Sequence, residues 1–164
     1  MKTAYDSYMS PIGNIHVVVD ETGVSKVFLT EDQWEEFIKE HEGIQRDKQL
    51  CSSVIKQLDE YFSGKRKDFD IQLSVEGTEF GKTVWNALQQ IPYGETRSYV
   101  DIAQAIGKPK ACRAIGQANK RNPLPIIIPC HRVIGANGEM TGYMGKKGIG
   151  VKEYLLEMER SYLK

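Results

Sequence analysis

Apolar and polar positions alternate at the start of this chain. Ile15, Val17 and Val19 take turns with Asn14, His16 and Val18, the run breaks at Gly23, and Val24, Val27, Phe28 and Leu29 follow. A period of two predicts strands, and the glycine between them predicts a hairpin. The period then lengthens. Thr30-Glu31-Asp32-Gln33 has the composition of a capping box ahead of Trp34, Phe37 and Ile38, which predicts a helix. A second helix is predicted from Leu50 to Phe62, with Val54, Leu58, Tyr61 and Phe62 on one face and Ser63-Gly64-Lys65-Arg66-Lys67 ending it. Phe69, Ile71 and Leu73 alternate again and predict a further strand, with residues 74–79 as a linker.

Beyond the linker the spacing is helical. Phe80, Val84, Trp85 and Leu88 share a face, and Pro92-Tyr93-Gly94 stops that helix. Ser98 is placed to cap the next, with Ile102, Ala103 and Ile106 inward and Gly107 at its end. Pro109 suits the first turn of a helix running from Lys110 to about Asn119. Two short helices across Gly107-Lys108-Pro109 predict a helix-turn-helix, with the second helix facing DNA because Lys110, Arg113, Lys120 and Arg121 gather on or near it. The branched run Ile126-Ile127-Ile128 predicts a strand ending at Pro129-Cys130-His131-Arg132-Val133, in front of Gly135, Gly138 and Gly142. A last amphipathic helix begins near Val151, with Leu155 and Leu156 inward.

Charge changes this picture. The 164 residues sum to zero, yet residues 1–81 hold 9 Lys and Arg against 16 Asp and Glu, and residues 82–164 hold 13 against 6. The basic half carries the Cys-His segment, so a polyanionic partner is expected for it; the plainer alternative is that the split only keeps two lobes soluble. Cys51, Cys112 and Cys130 are odd in number and lack CxxC spacing, which argues against a disulfide framework or a zinc knuckle. His16, His41 and Cys51 are too scattered for a metal site, so no metal and no cofactor is expected. No apolar run approaches a membrane span and Met1–Asp6 lacks a secretory signal, so the expectation is a cytoplasmic protein with no membrane partner.

A thiol next to an imidazole is the minimum apparatus for thiolate chemistry. If the segment is extended, Cys130 and His131 point to opposite faces, and contact requires a bend or a bridging water. Glu153, Glu157 and Glu159 all compete, on composition, to orient the histidine.

The stretch from Asn122 to Val133, with three prolines and the Cys-His pair in register, resembles the active-site signature of the O6-alkylguanine-DNA alkyltransferases. The likeness is high over residues 80–160 and weaker over 1–75, where Ser10-Pro11-Ile12-Gly13 is similar to the start of the family's N-terminal strand. It implies an α+β fold: a ribonuclease H-like N-terminal lobe of sheet and helix (1–75) and a helical C-terminal lobe with a winged helix-turn-helix (76–164). It implies stoichiometric transfer of an alkyl group from O6-alkylguanine, and O4-methylthymine, in double-stranded DNA to Cys130, by a monomer. Irreversible thioether formation would consume one protein per lesion.

The resemblance also assigns roles. Cys130 is the nucleophile, His131 its base acting through a water, and Glu159 the carboxylate that orients the imidazole. Asn122 is a hinge between the helix-turn-helix and the Cys segment; otherwise it is an ordinary helix-ending asparagine. Arg113 is the finger that fills the gap left by an extruded base, or else a phosphate-binding arginine. Lys110, Ala111 and Gly116 belong to the DNA-facing helix, whose small residues permit close approach to a groove. Tyr99 and Tyr143 line the base pocket with Val133 and Met144, or are buried aromatics with satisfied hydroxyls. Met144 stands where the family has a small residue, and Lys146-Lys147 lengthen the segment after it, which alters the pocket wall. Three rivals compete: a lesion-sensing protein of the same fold without transfer activity, a plain helix-turn-helix regulator, and a cysteine hydrolase.

Overall fold

The structure is a computed structural model that describes residues 2–135 and 145–163, without the side chains of 145–149. Tyr143 and Met144 lie outside the described residues. The chain divides into two compact units, Met1–Glu76 and Gly77–Lys164.

The first unit is a four-stranded sheet with a helix on each face. Strands β1 (Thr3–Ser10), β2 (Gly13–Asp20) and β3 (Val24–Phe28) form an antiparallel meander, and the short β4 (Gln45–Arg46) runs parallel to β1, giving the order β3-β2-β1-β4. Helix α1 (Glu31–Glu40) starts at Thr30, whose hydroxyl accepts from the Gln33 N–H at 3.3 Å. It packs Trp34 and Phe37 on Val18. Helix α2 (Ser52–Phe62) lies on the other face, buries Val54, Leu58, Tyr61 and Phe62, and accepts the Tyr8 hydroxyl on Asp59. Because both faces are covered, β2 is buried at every residue from Ile15 to Val19, including His16 and Val18, which the alternation had placed outward.

One strand of this unit was not predicted by periodicity, and one predicted strand is not formed. β1 has no apolar alternation, because the residues it buries are Ala4, Asp6 and Ser10. The segment with Phe69, Ile71 and Leu73 is no strand beyond one bridge, Val24 to Leu73. The Gln57 side chain instead bonds the Asp70 backbone in both directions, at 2.9 and 2.8 Å, in place of a neighbouring strand.

The second unit is mainly helical. Helix α3 (Glu79–Leu88) is capped by Thr78 and buries Val84, Trp85 and Leu88. Strand β5 (Arg97–Ser98) leads into α4 (Tyr99–Ala105), and Ser98 and Asp101 close a reciprocal capping box there. Gly107, at φ 72°, turns the chain toward α5 (Cys112–Lys120). Helix α5 begins two residues later than expected. Lys108 to Ala111 form a turn closed at 3.0 Å with Pro109 at its second position, so Lys110 precedes the helix. Cys130–Arg132 form a single 3-10 turn, β6 (Val133–Ile134) pairs parallel with β5, and α6 (Gly145–Leu163) closes the chain.

Candidate active site

The Cys-His segment is delivered by a buried turn, which corrects the expected strand. Pro123, Pro125 and Pro129 cannot donate to a ladder. Asn122 supplies the missing bonds: its Nδ2 donates to the Ile128 carbonyl at 2.8 Å and its Oδ1 accepts from the Leu124 N–H at 2.9 Å. The Ile128 N–H reaches the Leu124 carbonyl at 2.8 Å. Closing this bend forces Ile126 to φ 76°, an uncommon conformation for a branched residue, in a segment where Ile126, Ile127 and Ile128 are all buried. The apolar run is therefore core-forming, with a geometry that its periodicity could not distinguish from a strand.

The 3-10 turn aims Cys130, His131 and Arg132 inward, and all three are buried. His131 Nε2 meets Glu159 Oε2 at 2.6 Å, with both side chains fully excluded from solvent. Glu159, on α6, also accepts from Arg132 Nε at 2.9 Å, from the Arg132 terminal nitrogen at 3.0 Å, and from the Gly94 N–H at 3.0 Å. Gly94 adopts φ 79°, and a side chain there would collide with Leu163. Arg132 in turn donates to the Ile91 carbonyl at 2.9 Å and lies over the Tyr93 ring. Of the three candidate glutamates, Glu159 is the one held against the histidine; Glu153 and Glu157 are exposed.

The electrostatics follow from burial and these contacts. Burial pushes the Glu159 carboxyl up, but hydrogen bonds and charge from His131 and then Arg132 outweigh it, holding the group well below the usual carboxylate range. Burial lowers His131, against the pull of Glu159, so the resting imidazole is neutral. An ionised Glu159 on Nε2 then fixes the proton on that nitrogen and leaves Nδ1 as an acceptor. Nδ1 is buried and has no hydrogen-bond partner among the described residues. The Cys130 thiol is pushed up to about 11 by burial, with a hydrogen bond from Asn122 and the charge of Lys152 pulling it back.

The other predicted residues fall on the helix-turn-helix. Arg113 is exposed on α5 with Ala114 and Gln117, while Ile115, Ala118 and Asn119 face inward. Tyr99 opens α4 and is half-buried, and its ring faces Gly116, where an added methyl group would touch it at 3.9 Å. Ala111 caps α5 from outside, Lys110 is exposed, and Val133 is buried directly after the Cys-His-Arg turn.

Three residues escaped the sequence reading. Asn119 donates to the Cys130 carbonyl at 3.3 Å, and Trp85 Nε1 bonds the Ala118 carbonyl at 2.9 Å, so α5, α3 and the cysteine turn are joined. Arg132 clamps Glu159, and Lys152 is fully buried on α6. A lysine and a glutamate two helical turns apart in an otherwise apolar stripe were the available signal for Lys152. Among the described residues no group of side chains could hold a metal ion, and no helix is long and apolar enough to cross a membrane.

Comparison with known proteins adds the following. The 6-O-methylguanine DNA methyltransferase ribonuclease-like domain matches residues 3–75, and the DNA binding domain of the same family matches residues 79–161. The chain is 45% identical to the constitutive methylated-DNA–protein-cysteine methyltransferase of Bacillus subtilis, over 95% of this chain and 94% of that one. It is 48% identical to the Methanosarcina acetivorans methylated-DNA–protein-cysteine methyltransferase, over 96% and 98%. The crystal structure of Mycobacterium tuberculosis O6-methylguanine methyltransferase is similar at a TM-score of 0.88 and 43% identity, covering 98% of this chain and 94% of that chain. Mycobacterium tuberculosis OGT in complex with DNA is similar at a TM-score of 0.86 and 43% identity, covering 97% and 94%.

Proposed function

The chain belongs to the 6-O-methylguanine DNA methyltransferase family, and on that premise we propose that it repairs DNA by moving the alkyl group of O6-alkylguanine in a duplex onto its own Cys130. The observation that carries this reading is the buried pair His131–Glu159, joined at 2.6 Å beside the cysteine, with His131 Nδ1 left to accept a proton. Nδ1 takes the thiol proton through a bridging water, and the imidazolium that forms is held by the Glu159 carboxylate. The thiolate attacks the alkyl carbon in line. The S–C bond forms as the C–O bond breaks, the electron pair passes to the purine oxygen, and the base takes up a proton to become guanine. The thioether is stable, so each protein acts once.

The lesion must leave the stack to reach a buried sulfur, at a cost of a few kcal/mol. The exposed Arg113 and the small residues Ala111 and Gly116 of the α5 region support a helix that approaches a groove closely, with Arg113 holding the vacated space. Lys110, exposed before α5, supports a phosphate contact. Tyr99, half-buried at the start of α4, and the buried Val133 support a base pocket next to the cysteine turn; Tyr143 and Met144, to which the resemblance gives the same role, lie outside the described residues. O4-methylthymine is a second substrate, and the protein acts as a monomer in the cytoplasm. A lesion sensor of this fold would carry another residue at position 130, so the cysteine favours transfer.

Mixing the protein with methylated duplex DNA tests this by intact mass. One methyl per protein is expected, mapped to Cys130. Repeated turnover, or a methyl on Cys51 or Cys112, would overturn it. Arg113→Ala should hurt repair of duplex lesions far more than reaction with free O6-benzylguanine, because only the duplex needs a base held out. Lys110→Ala should weaken binding to all sequences and flatten its salt dependence.

A further inference from the structure

We propose that Asn119 reads the flipped base: its side-chain oxygen accepts a hydrogen bond from the exocyclic amine of O6-alkylguanine, which makes it a specificity residue of the reaction. The inference rests on the repair reading, since it presupposes a purine brought to Cys130.

Among the described residues two buried side-chain polar atoms lack a hydrogen-bond partner, His131 Nδ1 and Asn119 Oδ1. Both border the cysteine. His131 follows it in the chain, and Asn119 Nδ2 donates to the Cys130 carbonyl at 3.3 Å. Buried polar atoms are rarely left unpaired, because each keeps the cost of leaving water with nothing to offset it. The proton relay accounts for His131 Nδ1. Nothing in that relay requires Asn119 Oδ1.

The helix and the turn fix where this oxygen stands. Asn119 is 2% exposed on the inward face of α5, with Ile115 and Ala118. It lies one helical turn beyond Gly116, the residue that the Tyr99 ring faces. The Cys130 carbonyl also accepts from the Val133 N–H, so both of its lone pairs are taken within the protein. The bond from Nδ2 orients the amide as well. With its donor end held by the carbonyl, Oδ1 is the acceptor that this corner of the turn has left to offer.

The lesion supplies the matching group. Alkylation at O6 removes the proton that guanine carries at N1, so the edge beside the alkyl group keeps one donor, the 2-amino group. O6, N1 and that amine share one edge of the purine, the edge by which extruded bases are read. A base seated with its alkyl carbon on the Cys130 sulfur therefore presents its amine to the groups around the same residue. Asn119 Oδ1 is the unpaired acceptor among them. Once bonded, both ends of the amide are satisfied, and the purine is tied through α5 to the carbonyl of the reacting residue.

Taking the amine from the substrate and the amide from the protein tests this together. Benzyl uptake by Cys130 is followed by intact mass with free O6-benzylguanine and with O6-benzylhypoxanthine, which lacks the amine, for wild type and Asn119→Leu. Wild type should favour O6-benzylguanine, and the ratio of the two rates should fall about tenfold in Asn119→Leu, as expected for one hydrogen bond. Differences between the leaving groups are common to both proteins and cancel in that comparison. A ratio that the substitution leaves unchanged, whether both rates hold or both fall equally, would overturn the proposal and leave Asn119 as a brace between α5 and the cysteine turn. If Asn119→Leu fails to fold, the crystal structure of Cys130→Ser bound to a duplex carrying O6-methylguanine decides the matter. The exocyclic nitrogen should lie within about 3.2 Å of Oδ1, and a longer separation overturns the proposal. A wild type that gains no benzyl on Cys130 from either compound would instead overturn the repair reading.

Discussion

Each unit of this protein buries a histidine bonded to a glutamate, and the two pairs differ in the nitrogen that faces away. In the first unit His16 Nε2 meets Glu31 at 2.7 Å, Nδ1 meets the Ser7 hydroxyl at 2.6 Å, and the ring stacks on Trp34 with centroids 4.6 Å apart. Both nitrogens are satisfied, and Glu31 is 55% exposed. In the second unit His131 Nε2 meets Glu159 at 2.6 Å, the carboxylate is 0% exposed, and Nδ1 has no partner among the described residues. The pairing is the same; the chemistry available is not. A histidine whose second nitrogen is occupied is a cross-strand brace, and one whose second nitrogen is open is available for the base role proposed for His131. Solvent decides the rest. Water screens the Glu31 pair, whereas the Glu159 pair keeps its full field, and His131 and then Arg132 keep the carboxylate ionised against burial.

The largest effect that would break this comparison is on rate. His131→Ala should slow alkyl transfer by at least about 100-fold in single-turnover quench-flow on a methylated duplex, while His16→Ala should leave the rate within about twofold. Similar losses in both would mean that His131 is structural too. Next comes the carboxylate. Glu159→Gln should slow transfer about tenfold with DNA affinity nearly unchanged, and destabilise the second unit by about 3 kcal/mol, because Arg132 is left buried without its counter-charge. Glu31→Gln should cost less than about 1 kcal/mol in urea unfolding.

The third effect is the response to acid. Burial holds His131 below its ordinary 6.5, so the unfolded chain binds the proton more readily, and stability falls as pH drops below that value. Glu159 is held below its ordinary 4.5, so its contribution is present above that pH and is lost as pH falls further, toward its depressed folded value. Both losses run in the same direction, and the fluorescence of Trp85 in a Trp34→Phe variant reports them for the second unit. Urea midpoints that stay flat from neutral to acid pH would contradict the buried, ionised pair. The smallest effect sharpens the contrast. Ser7→Ala removes the partner of His16 Nδ1 and so imitates the open nitrogen of His131. It should cost about 1 kcal/mol of stability and add no reactivity toward alkylated DNA.

Much of this was legible in the sequence, for a reason visible in the residues. The faces of α1, α2 and α3 were readable because Trp34, Leu58 and Trp85 sit at helical spacing. The Cys-His segment was readable because its three prolines, Asn122 and the thiol lie within one short stretch. Strand β1 was not, because Ala4, Asp6 and Ser10 carry no apolar signature inward. The triple isoleucine looked like a strand because burial and branching are common to strands and to the bend that Asn122 closes. Arg132, Asn119 and Lys152 were hidden by chemistry: a polar or charged residue in a helix or turn looks solvent-facing until its partner arrives from elsewhere in the chain.

Cys130 is 2% exposed, and burial raises its thiol to about 11. For a protein used once, this amounts to a shelf life. Oxidants and stray electrophiles react with thiolates at accessible sites, and each accidental reaction would remove one molecule from service. A sulfur kept neutral and covered meets few of them. In the proposed reaction its reactivity is held back until a flipped base fills the pocket and the proton can leave, so the stock of intact molecules would be spent on lesions rather than worn down by waiting.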